Sequence, residues 1–160
     1  MADYTGERPE KKTYNVNRIK LLRDRAIKKI KSIFLPDNRI IKIFLIGSSI
    51  KGDFGEYEPP GFRGSLYSDF DFIIFVEDEY KIPRWLKGKQ SDAKPFPKSD
   101  LNLTHRIKNF VDNKYDAEIL FVRRSTMENN EIERMAEEPG CEIPFSEKSR
   151  WRHFVVYSRL

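Results

Sequence analysis

Three blocks of the chain are apolar almost without interruption, and each is short. Residues 40–46 read Ile-Ile-Lys-Ile-Phe-Leu-Ile, residues 70–76 Phe-Asp-Phe-Ile-Ile-Phe-Val and residues 117–122 Ala-Glu-Ile-Leu-Phe-Val. Short runs rich in β-branched and aromatic residues predict strands. Other stretches space their apolar residues in steps of three and four. Val16, Ile19, Leu22, Ala26, Ile27, Ile30, Ile33 and Phe34 form one stripe of a helix whose other face is Lys and Arg. Asn15 or Asn17 would cap it, and Leu35-Pro36-Asp37-Asn38 ends it. Leu103, Ile107, Phe110 and Val111 predict a second helix, capped by Ser99 or Asp100 and running to about residue 113. Ser125 or Thr126 opens a third over residues 127–138, ended by Pro139-Gly140.

The remaining segments are expected to be irregular. Residues 1–14 read as a mobile tail, and residues 15–160 as one domain. Loop insertions rich in Pro and Gly are expected at about 53–67 and 77–98. A short extended piece at 141–145 and a closing helix or strand over 151–160, packed by Trp151, Phe154 and Tyr157, complete the chain. The element order implies an α/β (α+β) fold, a small mixed sheet with helices packed on one face. Phe70, Phe72, Ile74 and Val76 would then face the helices, and Asp69 and Asp71 the opposite side.

Composition narrows the classes. At 160 residues the chain suits one domain with a modest core. With 39% hydrophobic, 34% charged and 13% aromatic residues it is polar, but not disordered in composition. A net charge of +5 and a pI of about 9.2 lean weakly toward anionic partners. The single cysteine, Cys141, rules out an internal disulfide and a cysteine metal cage, and reads as a small buried residue. The N-terminus shows no signal-peptide pattern, and the longest unbroken apolar run, Phe72 to Val76, is far too short to span a membrane. No membrane partner and a cytoplasmic location are the expectation.

The chemistry concentrates where two of the apolar runs begin or end. The first strand ends in Gly47-Ser48-Ser49-Ile50-Lys51-Gly52, and the next is preceded by Ser68 and opens on Asp69 and Asp71. Residues i and i+2 of a strand share a face, about 7 Å apart at the Cα. Two carboxylates that close repel unless a cation lies between them. Gly47 would let phosphates approach the backbone, Ser48 offers a hydroxyl and an N–H, and Lys51 a point charge. A third carboxylate would be Asp116 or Glu118, which have the same parity in the third strand. Glu118 stands inside an apolar run, where a charge is costly unless paired. Three convergent carboxylates suit Mg2+ or Mn2+ with a nucleoside triphosphate (NTP). His105, placed on the polar side of the second helix, and His153 lack metal-ligand spacing.

These residues carry a resemblance. Ile-Lys-Ile-Phe-Leu-Ile-Gly-Ser-Ser-Ile-Lys-Gly followed by Ser-Asp-Phe-Asp-Phe-Ile-Ile-Phe-Val resembles the polymerase-beta-type nucleotidyltransferase superfamily, most closely its minimal nucleotidyltransferases. The resemblance spans about residues 19–145. It implies catalytic and metal-binding roles for Asp69, Asp71 and Glu118, with Asp116 as the other candidate ligand, and NTP contacts for Gly47, Ser48, Lys51 and Ser68. It implies Mg2+-dependent transfer of a nucleoside monophosphate from an NTP to a hydroxyl of a protein, RNA or small molecule. A helical partner protein, as in toxin–antitoxin pairs, is also implied. The spacing from Gly47 to Asp69 exceeds the family's usual one by about ten residues, the length that the loop adds. Two other readings stay open. One is a catalytically silent adaptor binding nucleic acid or protein, to which the lysines, Trp85 and Phe96 of residues 81–98 lend some support. The other uses Glu77-Asp78-Glu79 as the metal motif of a sugar-nucleotide glycosyltransferase, for which the chain is short.

Overall fold

The computed structural model describes residues 10–58, 66–90, 101 and 103–160. The elements run β1 (Glu10–Thr13), α1 (Val16–Phe34), β2 (Ile40–Ile46), α2 (Ser48–Lys51), β3 (Gly55–Glu58), β4 (Phe70–Val76) and β5 (Lys87–Gln90). They continue with β6 (Leu103–Val111), β7 (Tyr115–Arg123), α3 (Arg124–Met127), α4 (Asn130–Ala136) and β8 (Phe154–Ser158). Six strands form one mixed sheet in the order β5-β6-β7-β4-β2-β8. Within it β4 and β7 are parallel and the other neighbours antiparallel. The class is the small α+β sheet that the residue pattern predicts.

The three apolar runs are the central strands. Helix α1 begins at Asn15, whose side chain accepts the Arg18 N–H, and buries Ile19, Leu22, Ala26, Ile30 and Phe34. These pack on Ile43, Leu45, Phe72, Ile74, Ile119 and Phe121 of the sheet. The opposite face is covered over Phe44, Ile73, Phe75, Leu120 and Val122 by Ala136 of α4 and by Ile143 and Phe145. Asp69 and Asp71 belong to that same face by alternation, at the end of β4 that this second cluster does not reach. Lys42, in the middle of β2, is buried. Its Nζ donates to the Phe145 carbonyl at 2.5 Å and lies 4.8 and 4.4 Å from the ring centres of Phe44 and Phe75. Burial lowers its pKa below the ordinary lysine value.

Several expectations are corrected. The helix expected to end near residue 113 is the strand β6, paired with β7; its proposed caps, Ser99 and Asp100, lie outside the described residues. A register shift between Ile107 and Val111, with Asn109 at φ +53°, puts Phe110 as well as Ile107 on the core side. That bulge makes a strand's inward residues fall at helical spacing. Asp112 and Asn113, at φ +54° and +53°, then form the centre of a turn closed by the Lys114 N–H to the Val111 carbonyl, within a three-residue connection between the paired Val111 and Tyr115. His105 is accordingly buried in the sheet, edge-on to Phe121.

The tail and the first loop insertion are also structured in part. Glu10–Thr13 pairs antiparallel with Gly55–Glu58, and a Cβ on Gly55 would meet the Lys12 carbonyl oxygen at 2.0 Å. Phe54 is fully buried beside Tyr14, Phe70 and Tyr115. Residues 1–9 and 59–65 lie outside the described residues. The second insertion contributes the edge strand β5, and its residues 91–98 are likewise outside. The predicted third helix is two pieces, α3 and α4, the second capped by Asn129. The closing segment is strand β8, which covers the outer edge of β2. Arg159 ties it down by donating to the Asn38 carbonyl and pairing with Glu77.

Candidate functional site

Strand pairing gathers the predicted acidic residues. In the register of β4 and β7, Asp71 is the direct partner of Glu118. Stepping one residue back from the Phe70–Ala117 pair puts Asp69 beside Asp116. Neighbouring strands are about 4.8 Å apart, so four carboxylates occupy two successive rungs of one sheet face, with the Phe70–Ala117 rung between them facing the other side.

The Gly-Ser turn meets the same rungs from the other side. Ile46 pairs with Asp71, so Gly47 leaves β2 next to the start of β4. Gly47 has φ +85° and ψ −156°, a conformation essentially reserved for glycine. A Cβ there would meet Asp71 Oδ2 at 2.3 Å and Asp71 Cγ at 3.2 Å. The Asp71 carboxylate therefore lies against the bare Cα of Gly47. After it, α2 makes a single turn in which the N–H groups of Ile50 and Lys51 reach the Gly47 carbonyl. Gly52, at φ +85°, closes it. Ser48 is half-buried, Ser49 buried and Lys51 exposed at the end of the turn. The Ser49 hydroxyl has no hydrogen-bond partner among the described residues.

Ser68 has a different setting. It is buried, its Oγ accepts the Gly55 N–H at 3.0 Å, and its own N–H donates to the Gly55 carbonyl at 2.9 Å. The residue thus fixes the approach of the chain to β4, which begins two positions later at Phe70.

The residue that the sequence pattern missed is Arg106. It lies on β6 opposite Glu118 of β7. Its Nη1 donates to Asp116 Oδ2 at 2.9 Å and its Nη2 to Asp69 Oδ2 at 3.0 Å, with Glu118 Oε2 3.5 Å from Nη2. Asp116 is held a second time, by the Asn109 N–H on Oδ1 at 2.8 Å. Burial raises the Asp69 pKa above the ordinary carboxylate range, and the charges of Glu118 and Asp116 push the same way. The Arg106 guanidinium opposes that shift. Against burial, which would lower it, the carboxylates raise the arginine's own pKa, Asp69 foremost. Arg106 was obscured because residues 103–111 imitate a helix. Reading Asp112-Asn113 as a turn would have made residues 103–111 a strand beside β7, and the register shift between Ile107 and Val111 is what brings Arg106 opposite Glu118.

Among the described residues no three His, Cys, Asp or Glu side chains gather as a metal cluster. The guanidinium lies between Asp69 and Glu118 instead. The donor set, carboxylate oxygens alone, is the kind that Mg2+ or Mn2+ prefers. Asp69 and Glu118 have about a quarter and a third of their side-chain surface exposed, so they are open to solvent on one side. No helix among the described residues is long and apolar enough to cross a membrane. A search of protein-family models finds no match to the chain, and a search of curated proteins finds none either.

Proposed function

We propose that the chain is a Mg2+- or Mn2+-dependent nucleotidyltransferase, moving a nucleoside monophosphate from an NTP to a hydroxyl with release of pyrophosphate. One observation carries this reading: the bare Cα of Gly47 lies against the Asp71 carboxylate while Asp71 pairs in register with Glu118. A glycine-led turn, which lets phosphates come close to backbone, thus stands on the same rungs as an all-oxygen donor set.

In this reading Asp69, Asp71 and Glu118 would hold the divalent cation. When bound, the cation supplies positive charge against the phosphate oxygens and the departing pyrophosphate. Ser48 offers its hydroxyl and N–H to the phosphates beside Asp71. A carboxylate of the cluster takes the proton of the acceptor hydroxyl as its oxygen bonds to the α-phosphorus and the bond to the β-phosphate oxygen breaks. Acceptors in this reading are a protein hydroxyl, an RNA end or a small molecule, and a helical partner protein is part of the proposal.

The test is a transfer assay with each α-labelled NTP beside a melting assay with and without Mg2+. An NTP should raise the midpoint only together with the metal, and Asp71→Asn should remove both that shift and the transfer. A second reading, a silent adaptor with this fold, is favoured by the ion pairs of Arg106, which neutralise part of the cluster without any metal. It expects no NTP–metal shift in the parent protein.

A further inference from the structure

Arg106 takes hold of the carboxylates unevenly. Asp116 has both oxygens engaged, one by Nη1 and one by the Asn109 backbone, so that end of the contact is clamped to β6 and its bulge. The other end is looser. Nη2 alone is shared between Asp69 at 3.0 Å and Glu118 at 3.5 Å, and those two carboxylates flank Asp71 from just before its own strand and from the neighbouring one. With Asp69, Asp116 and Glu118 ionised, one guanidinium leaves this trio two negative charges in excess, before Asp71 is counted. A trio with that excess attracts a divalent cation more strongly than the single charge of an arginine satisfies it.

We infer that Arg106 is the resident counter-ion of the carboxylate site: anchored by Asp116, it occupies Asp69 and Glu118 in the metal-free protein and yields them to the divalent cation. The inference rests on the nucleotidyltransferase reading for the identity of the site. It also divides the two acidic candidates of β7. Glu118 is the ligand, and Asp116 is a positioning residue that keeps the guanidinium attached to the rim once Asp69 and Glu118 are taken. Arg106 suits this role better than a lysine would, because its planar fork spans two carboxylates at once.

The test is Mn2+ binding, read by electron paramagnetic resonance with the metal alone and no nucleotide. Arg106→Gln removes the competing charge and should tighten Mn2+ by about tenfold or more, since repulsion between a cation and a neighbouring guanidinium is lifted. Arg106→Lys keeps a charge without the fork and should fall between the parent and Arg106→Gln. It also serves if Arg106→Gln does not fold. Asp116→Asn should bind Mn2+ at least as tightly as the parent, whereas Asp69→Asn and Glu118→Gln should lose it. In the parent, addition of Mg2+ should shift the guanidinium NMR signal that is absent from Arg106→Lys. A merely structural arginine predicts the opposite pattern: lower urea stability in Arg106→Lys, with Mn2+ affinity unchanged or weaker and the guanidinium signal unmoved by Mg2+. That result overturns the inference while the nucleotidyltransferase reading stands. Absence of Mn2+ binding in the parent and in every Arg106 variant overturns both.

Discussion

Replacing Gly47 by alanine isolates the contact on which the site is built. Two costs add at this position. The backbone, at φ +85° and ψ −156°, lies where residues with a side chain are strained by about 1–3 kcal/mol. The new methyl would also fall 2.3 Å from Asp71 Oδ2, so the carboxylate must turn away. Gly52 is the internal control. It has the same φ of +85°, but a ψ of 13° and nothing within 4 Å of its would-be Cβ. Gly52→Ala should therefore cost only the left-handed term, about 1–2 kcal/mol. Gly47→Ala should exceed it, by roughly 1 kcal/mol or more from displacing a partly buried carboxylate. Urea unfolding in EDTA, with the slope held equal between variants, reads the difference as a shift of midpoint. Mn2+ binding by the same two variants reads the site: lost in Gly47→Ala and kept in Gly52→Ala. Equal stability of the two, with Mn2+ binding intact in both, would show that Asp71 does not depend on the bare Cα of Gly47, and the reasoning for the site would fail.

Lys42→Met should change stability at neutral pH by no more than about 1–2 kcal/mol, because relief of a buried cation is offset by the loss of its hydrogen bond to the Phe145 carbonyl. Burial depresses the lysine's pKa from 10.5 in the folded state, so folded Lys42 sheds its proton before the unfolded chain does. The parent should therefore gain stability as pH rises through the folded pKa toward 10.5, and Lys42→Met should lack that rise; urea midpoints across the alkaline range check it. Asn113→Gly should stabilise by about 0.5 kcal/mol, since φ +53° in a hairpin turn suits glycine better than asparagine. A clear loss of thermal stability would place the turn elsewhere.

What the sequence made legible was whatever announces itself by local burial. The central strands β2, β4 and β7 are apolar runs with few choices of conformation, and α1 shows its stripe at steps of three and four. That Asp69 and Asp71 share a face followed from strand periodicity, and the meeting of Asp71 with Gly47 from the ends of two such runs. The failures are non-local. Glu10–Thr13 and Gly55–Glu58 are too short and too polar to show alternation, and only their mutual ladder makes them strands. The bulge at Asn109 gave β6 a helical spacing and hid Arg106 with it. The residue pattern predicts helices on one face of the sheet only, and it misses the second cover by α4, Ile143 and Phe145 because Ile143 and Phe145 belong to a segment without regular structure.

Strand β8 has a consequence for biosynthesis. Its partner β2 is buried along nearly its whole length, and the two are separated by more than a hundred residues of chain. Until Phe154–Ser158 has left the ribosome, an emerging chain carries a β2 whose outer hydrogen-bonding edge has no cover. Such an edge, apolar on both sides, is a template for pairing with another nascent chain. Chains cut short before residue 154 should therefore keep the carboxylates and the glycine turn, yet be lost to aggregation rather than to inactivity. Arg159, reaching back to Asn38 and Glu77, then latches β8 against the strand it covers.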